Sequence, residues 1–282
     1  MPTTIIDGLE VNYEKRGSGP ALLMFAPGGF DATMDKWLSA SAWKEINALD
    51  ALAEQHTLIL YDRRECGQSG GRVERLSWAS YTKQGKALLD YLKIDSAFVL
   101  GACMGCSVAV AFAVHYPETT RGVLLHWPVG GYRWKISGLD RFQRHINFAK
   151  QNQLKGVVER ARTGKSFWSD PEAGPWASVI GRDRQFAETF ASQDLDRYLG
   201  LIATSARTFF DRDTATGAEP EELLGVKAPA LIIPGDDSSH ATSGAHYLRE
   251  CLPKAEFWNV MPPEQTTSKV CNRILDFSRA NR

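Results

Sequence analysis

Neither sign of charge dominates this 282-residue chain: 33 Lys and Arg cancel 33 Asp and Glu. No global field is left to hold nucleic acid or an acidic membrane, and neither is expected as a partner. Cysteine is scarce. Cys66, Cys103, Cys106, Cys251 and Cys271 are odd in number and irregularly spaced, with no Cys/His cluster of zinc type, so free thiols in a reducing, cytoplasmic compartment are expected. The opening residues, Met-Pro-Thr-Thr-Ile-Ile-Asp-Gly, lack the basic and apolar regions of a signal peptide. Long apolar runs are also missing. The eighteen uncharged residues from Ala97 to Val114 are broken by Gly101 and Gly105, which favours a strand, a sharp turn and a buried helix over a membrane span. Repeats, like-charge blocks and a Pro/Gly-rich linker are absent, as are a phosphate loop, a metal constellation and a dinucleotide glycine pattern. No cofactor or metal is expected.

What is present is an ordinary globular balance, 43% hydrophobic and 23% charged, on a chain long enough to bury a large core. Short apolar runs alternate with longer amphipathic segments, the pattern of βαβ units in a largely parallel sheet. Strands are expected at Leu9 to Tyr13, Ala21 to Phe25, Thr57 to Tyr61, Ala97 to Leu100, Gly122 to His126, Ala230 to Ile233 and Glu256 to Val260. Helices are expected at Lys36 to Gln55, Trp78 to Leu92, Met104 to His115, Ser243 to Cys251 and Thr267 to Ser278. From Trp127 to about Leu224 the alternation stops. That stretch reads as a helical lid inserted into an α/β core made of residues 1–126 and 225–282.

Gly101-Ala102-Cys103-Met104-Gly105 follows an apolar strand and opens a helix, the setting of a G-x-S-x-G nucleophile elbow with Cys in place of Ser. Such a turn would expose the sulfur at the carboxyl edge of the sheet and aim a helix N-terminus at it, favouring thiolate. A small buried cysteine in a Gly-rich turn is the plainer alternative. Phe25-Ala26-Pro27-Gly28-Gly29-Phe30 also follows a strand, so its amides can reach the same edge, as an oxyanion loop requires.

On these two segments, on Tyr61 to Gly70 (Y-D-R-R-E-C-G-Q-S-G) and on I-I-P-G-D-D from Ile232, the chain resembles the α/β-hydrolase superfamily along nearly its whole length. Tyr61 to Ser69 looks like that family's D-x-R-G-x-G-x-S turn, with Glu65 where glycine is usual. The resemblance implies an α/β fold of mostly parallel twisted sheet flanked by helices. It also implies Cys103 as nucleophile, oxyanion donors at Met104 and at Gly29 or Phe30, and an acid at Asp236 or Asp237. The family's histidine belongs after the last strand, where this chain reads M-P-P-E-Q-T-T-S; no His follows His246, and Glu264 occupies the loop.

The base must then come from elsewhere. His56 and His115 belong at the opposite edge, and His246 lies inside a helix. His126, ending a strand at the active edge, and His240, three residues beyond Asp237, both qualify, and His145 could reach down from the lid. Trp127 and Trp134 are placed to wall an apolar or aromatic substrate; Arg64 could hold a substrate carboxylate or form an ordinary ion pair.

Three readings follow: a cysteine-dependent hydrolase of a small ester, lactone, thioester or activated C–C bond; a lyase, isomerase or decarboxylase in which Cys103 moves a proton; and an inactive ligand-binding protein of the same fold. The partner expected is a small molecule, and a homodimer is compatible with the composition.

Overall fold

A computed structural model describes residues 2–214 and 217–281. Eight strands form one sheet in the order β1-β2-β4-β3-β5-β6-β7-β8. They are β1 (Thr3–Ile6), β2 (Leu9–Arg16), β3 (Ala21–Phe25), β4 (Thr57–Tyr61), β5 (Ala97–Ala102), β6 (Thr120–His126), β7 (Ala230–Ile233) and β8 (Ala255–Phe257). Only the β1–β2 and β2–β4 pairs are antiparallel; every pairing from β4 across to β8 is parallel. Strands β3 to β7 are almost wholly buried, as expected where helices cover both faces. Strand β1, absent from the sequence reading, is joined to β2 by Asp7 and Gly8, both at positive φ, a two-residue hairpin turn.

Around the sheet lie α4 (Trp78–Tyr91), α5 (Met104–His115), α11 (Thr242–Cys251) and α12 (Thr267–Ala280). The helix expected over Lys36 to Gln55 is instead three short pieces, α1 (Lys36–Ser39), α2 (Ser41–Ile46) and α3 (Leu49–Ala53). Two residues break it: Ala40 is extended and Asn47 is left-handed at φ 41, a conformation asparagine tolerates better than most residues. Strand β8 also stops at Phe257, short of the expected Val260; it pairs only with β7.

Between β6 and β7 the chain forms α6 (Tyr132–Ala161), kinked at Gln153, then α7 (Ala177–Arg182), α8 (Arg184–Ala191), α9 (Leu195–Phe210) and α10 (Pro220–Leu224). These helices have a core of their own in which Phe142, Phe167, Trp176, Phe190 and Tyr198 are almost fully buried. Phe30, on the loop after β3, inserts its ring among Phe142, Phe167 and Phe209 and ties that core to the sheet edge. Among the described residues no helix is long and apolar enough to cross a membrane.

The turn from β5 into α5 is tightly packed. Cys103 has φ 54 and ψ −127, outside the comfortable regions for an L side chain. It is tolerated because both flanking glycines are backbone-to-backbone contacts: a Cβ at Gly101 would lie 2.3 Å from the Gly105 carbonyl oxygen, and one at Gly105 would lie 2.1 Å from the Phe25 carbonyl oxygen. Gly105→Ala is accordingly expected to cost at least ~2 kcal/mol, since backbone cannot move aside as a side chain can. Urea unfolding of the variant checks this, and an unchanged midpoint would contradict the close approach.

Candidate active site

The elbow brings Cys103 to the carboxyl edge of the sheet, where the loops after β3, β6, β7 and β8 meet. Its residual exposure is 8%. The amides of Met104, at the start of α5, and of Gly28 donate to the sulfur. The second amide at the sulfur is that of Gly28, whereas the oxyanion donor was expected at Gly29 or Phe30. Gly29 instead lies under the Trp168 ring, its carbonyl accepting from Arg63 Nη2 at 2.7 Å, and Phe30 turns into the aromatic core described above. Nothing in the sequence distinguishes one glycine of Pro27-Gly28-Gly29 from the next; only the path of the loop does.

That path is fixed from the turn after β4. Asp62 accepts from the Met34 amide at 2.9 Å, from Asn12 Nδ2 at 2.8 Å and from the Gln68 amide at 2.9 Å, and the Arg63 amide donates to the Ala32 carbonyl. Glu65, standing where the related motif has glycine, sits at φ 68, which explains why glycine is usual there. Arg64 does not reach the site. It is buried against Glu65 and Glu74 at 2.8 and 2.6 Å, and it lines a small cavity with Ile6, Asp7 and Lys83 beside β1. A paired guanidinium at that place cannot hold a substrate carboxylate at Cys103.

The turn after β7 supplies both an acid and an imidazole. Asp237 accepts from the backbone amides of Ser239 and His240 and from His240 Nδ1, the last at 2.8 Å to each oxygen. With Nδ1 donating, the buried Nε2 is left facing Cys103, the group it interacts with. Burial alone would push the Cys103 thiol up; the His240 charge and the two amides outweigh it and hold the thiol below its ordinary value. Burial likewise pulls His240 down, but the Cys103 and Asp237 charges carry it to about 9. The His240 hydrogen bond takes Asp237 to about 2. Asp236 is exposed beside it.

His126 is occupied on both nitrogens. Nδ1 accepts from Trp43 Nε1 at 3.2 Å and Nε2 lies 3.4 Å from Gln265 Oε1, while burial lowers its pKa to about 4. A neutral imidazole with both nitrogens engaged cannot act as the base, so that expectation is corrected. His145 is equally committed, between the Pro171 carbonyl and the Tyr198 hydroxyl inside the helical insertion. Trp127 packs its ring 5.6 Å from that of His240, and Trp134 stacks at 6.2 Å on Trp168. Glu264 is exposed, 3.9 Å from Lys269, and does not enter the site.

Two features escaped the sequence reading. Cys103 and Cys106 stand at C-x-x-C spacing, passed over when the cysteines are taken as scattered thiols; the Cys106 thiol points inward to the Gly101 and His126 carbonyls, and burial raises its pKa well above the ordinary value. Trp43 and Gln265 carry no motif at all, and only the fold brings them to His126 and Trp127. Among the described residues no group of three or more His, Cys, Asp or Glu side chains is placed to hold a metal.

A strained elbow on a parallel sheet, with an acid after β7, defines the class. The α/β hydrolase fold family matches residues 21–161, half of the chain, and the protein belongs to that family. It is 30% identical over 154 residues to the dihydrolipoyllysine-residue acetyltransferase component of the acetoin cleaving system of Cupriavidus necator, covering 55% of this chain and 38% of that protein. It is 23% identical over 238 residues to the bifunctional esterase/perhydrolase DCH of Acinetobacter calcoaceticus, covering 83% and 80%. The chain spans about half the length, or less, of several curated relatives it matches. The crystal structure of the enol-lactonase from Burkholderia xenovorans has the same fold, with TM-score 0.60 at 19% identity over 99% of this chain and 97% of that one.

The Asp237–His240 pair carries a pH signature. The stability due to Asp237 is present above its unfolded pKa of ~3.9 and is lost as pH falls through about 2; that due to His240 is present below its unfolded pKa of ~6.5 and is lost as pH rises through about 9. The stability gap between wild type and Asp237→Asn is therefore expected to be widest between about pH 4 and 6.5 and to narrow on either side. Urea unfolding across pH measures it; a gap that does not vary with pH would contradict the pairing.

Proposed function

We propose that this protein hydrolyses a small carbonyl substrate, an ester, lactone, thioester or activated C–C bond, through a thiolate at Cys103. The observation that carries the proposal is the strained elbow cysteine facing an imidazole already oriented by a carboxylate. The Cys103 thiolate attacks the carbonyl carbon, and the Met104 and Gly28 amides turn from the sulfur to the oxyanion. The His240 imidazolium gives its proton to the leaving group as the tetrahedral centre collapses to a thioester. Neutral His240 then takes a proton from the water that hydrolyses the thioester, and the thiolate is released. Asp237 holds the ring in the Nδ1–H tautomer throughout, as the acid of a triad does.

The helical insertion serves as the lid in this reading. Trp168 lies on Gly29 in the loop after β3, while Arg182 Nη1 donates to the Gln68 carbonyl at 2.9 Å and Ser205 Oγ accepts from the Leu76 amide at 3.0 Å on the segment after β4, contacts that support a covering role for the insertion. Phe30, Trp134, Trp168 and Phe210 pack on one another where the insertion meets the loop after β3, and an apolar or aromatic acyl group would suit such surroundings. The esterase and lactonase activities named for the relatives above are compatible with such a substrate. The proton-transfer alternative drew on the missing family histidine, a gap His240 fills.

With p-nitrophenyl acetate as substrate, Cys103→Ala should abolish turnover and His240→Asn should cost at least ~100-fold, the low end for losing a general base. Acid quench during turnover should leave an acetyl adduct on the Cys103 peptide, read by mass. Hydrolysis by Cys103→Ala at the wild-type rate would overturn the proposal.

A further inference from the structure

We propose that Gln265 is a positioning residue for His240, acting through the two indole rings that flank the imidazole. The inference rests on the reading of Cys103 and His240 given above.

Gln265 lies on the loop after β8 where the related fold carries its histidine, and it is 5% exposed. Its carboxamide makes contacts to three of the loops that meet at the site. Nε2 donates to the Pro234 carbonyl after β7 and to the Val260 carbonyl after β8, each at 2.7 Å. Oε1 accepts from Trp127 Nε1, after β6, at 2.6 Å and lies 3.4 Å from His126 Nε2. The orientation is forced. Two carbonyls require the NH2 end, and the indole N–H of Trp127 requires the oxygen.

The chain of bonds continues through His126. An indole nitrogen only donates, so His126 Nδ1 accepts from Trp43 Nε1 and the ring proton sits on Nε2, pointed at Gln265. One carboxamide thus orients Trp127 directly and Trp43 through a neutral histidine. Both rings pack on His240, at 5.6 and 5.9 Å between centroids. Gly235 leaves no slack in the turn: a Cβ there would meet His240 Cβ at 2.7 Å and Trp127 Cγ at 3.1 Å.

The same bonds explain why glutamine stands at this position. Two outgoing and two incoming hydrogen bonds need an amide; glutamate lacks the donors, and neutral histidine offers one donor and one acceptor. The titratable groups facing His240 are Cys103, Asp237 and His126. Of these, His126 itself packs against both indoles, at 5.8 Å from Trp43 and 6.0 Å from Trp127 between centroids, so it belongs to the same bracing unit as the rings.

The test is the pH profile of iodoacetamide alkylation at Cys103, read by peptide mass, which needs no substrate. Gln265→Leu should slow alkylation about tenfold on the acid limb of the profile, where raising the thiol by one pKa unit lowers the thiolate fraction tenfold. Trp127→Phe, which keeps a ring and removes the N–H, should act in the same direction and guards against a Gln265 variant that does not fold. In a His240→Asn background both changes should lose their effect, because a residue acting through His240 has nothing left to position. Equal slowing with and without His240 would make Gln265 merely structural and overturn the proposal. Wild-type alkylation in both single variants would overturn it as well. An unshifted profile in His240→Asn alone would instead remove the thiolate–imidazolium reading, and the role of Gln265 with it.

Discussion

The approach of α5 to the end of β3 is the constraint on which the site depends. Gly105 sits against the Phe25 carbonyl so closely that no side chain fits, and Gly101 against Gly105 in the same way. This contact forces Cys103 into positive φ and lifts its sulfur clear of the sheet edge, while the first amide of α5 stays aimed at it. The neighbouring glycine pair after β3 then brings a second amide, from Gly28, to the same atom. Two backbone amides are in this way directed at one sulfur.

The charges around that point follow one another. A buried thiol would ordinarily hold its proton, and a buried imidazole would ordinarily lose one. Placed together, with Asp237 behind the ring, each reverses the other's tendency: Cys103 is lowered and His240 raised to about 9. Cys106, one helical turn on, and His126, on the next strand, have no such partner. Burial sends them the other way, the thiol up and the imidazole down to about 4. The same residue types thus divide into a charged pair and a neutral pair by environment alone.

The placing of Asp237 and His240 on one turn has a structural cost. Residues three apart cannot be braced by separate loops, so the rigidity of His240 has to come from its neighbours. Trp43 and Trp127 supply it, and Gln265 and His126 satisfy the polar atoms that those indoles would otherwise bury unpaired. The Asp62 turn performs a comparable service for the Gly28 loop.

The parallel core, the elbow, the Asp62 to Ser69 turn and the β7 strand were legible in the sequence, because each rests on local rules: apolar run length, glycine spacing, and strand-to-helix alternation. The pairing of Asp237 with His240 was also within reach, since three residues in a turn stay close in any compact fold. What the sequence could not decide was which amide of Pro27-Gly28-Gly29-Phe30 faces the sulfur, whether Arg64 meets the site or an ion pair, and that His126 spends both nitrogens on Trp43 and Gln265. The last of these depends on contacts between residues 83 and 139 positions apart in the chain. Hydrogen-bond partners at such separations are set by where the sheet delivers its loops, and no local pattern encodes that.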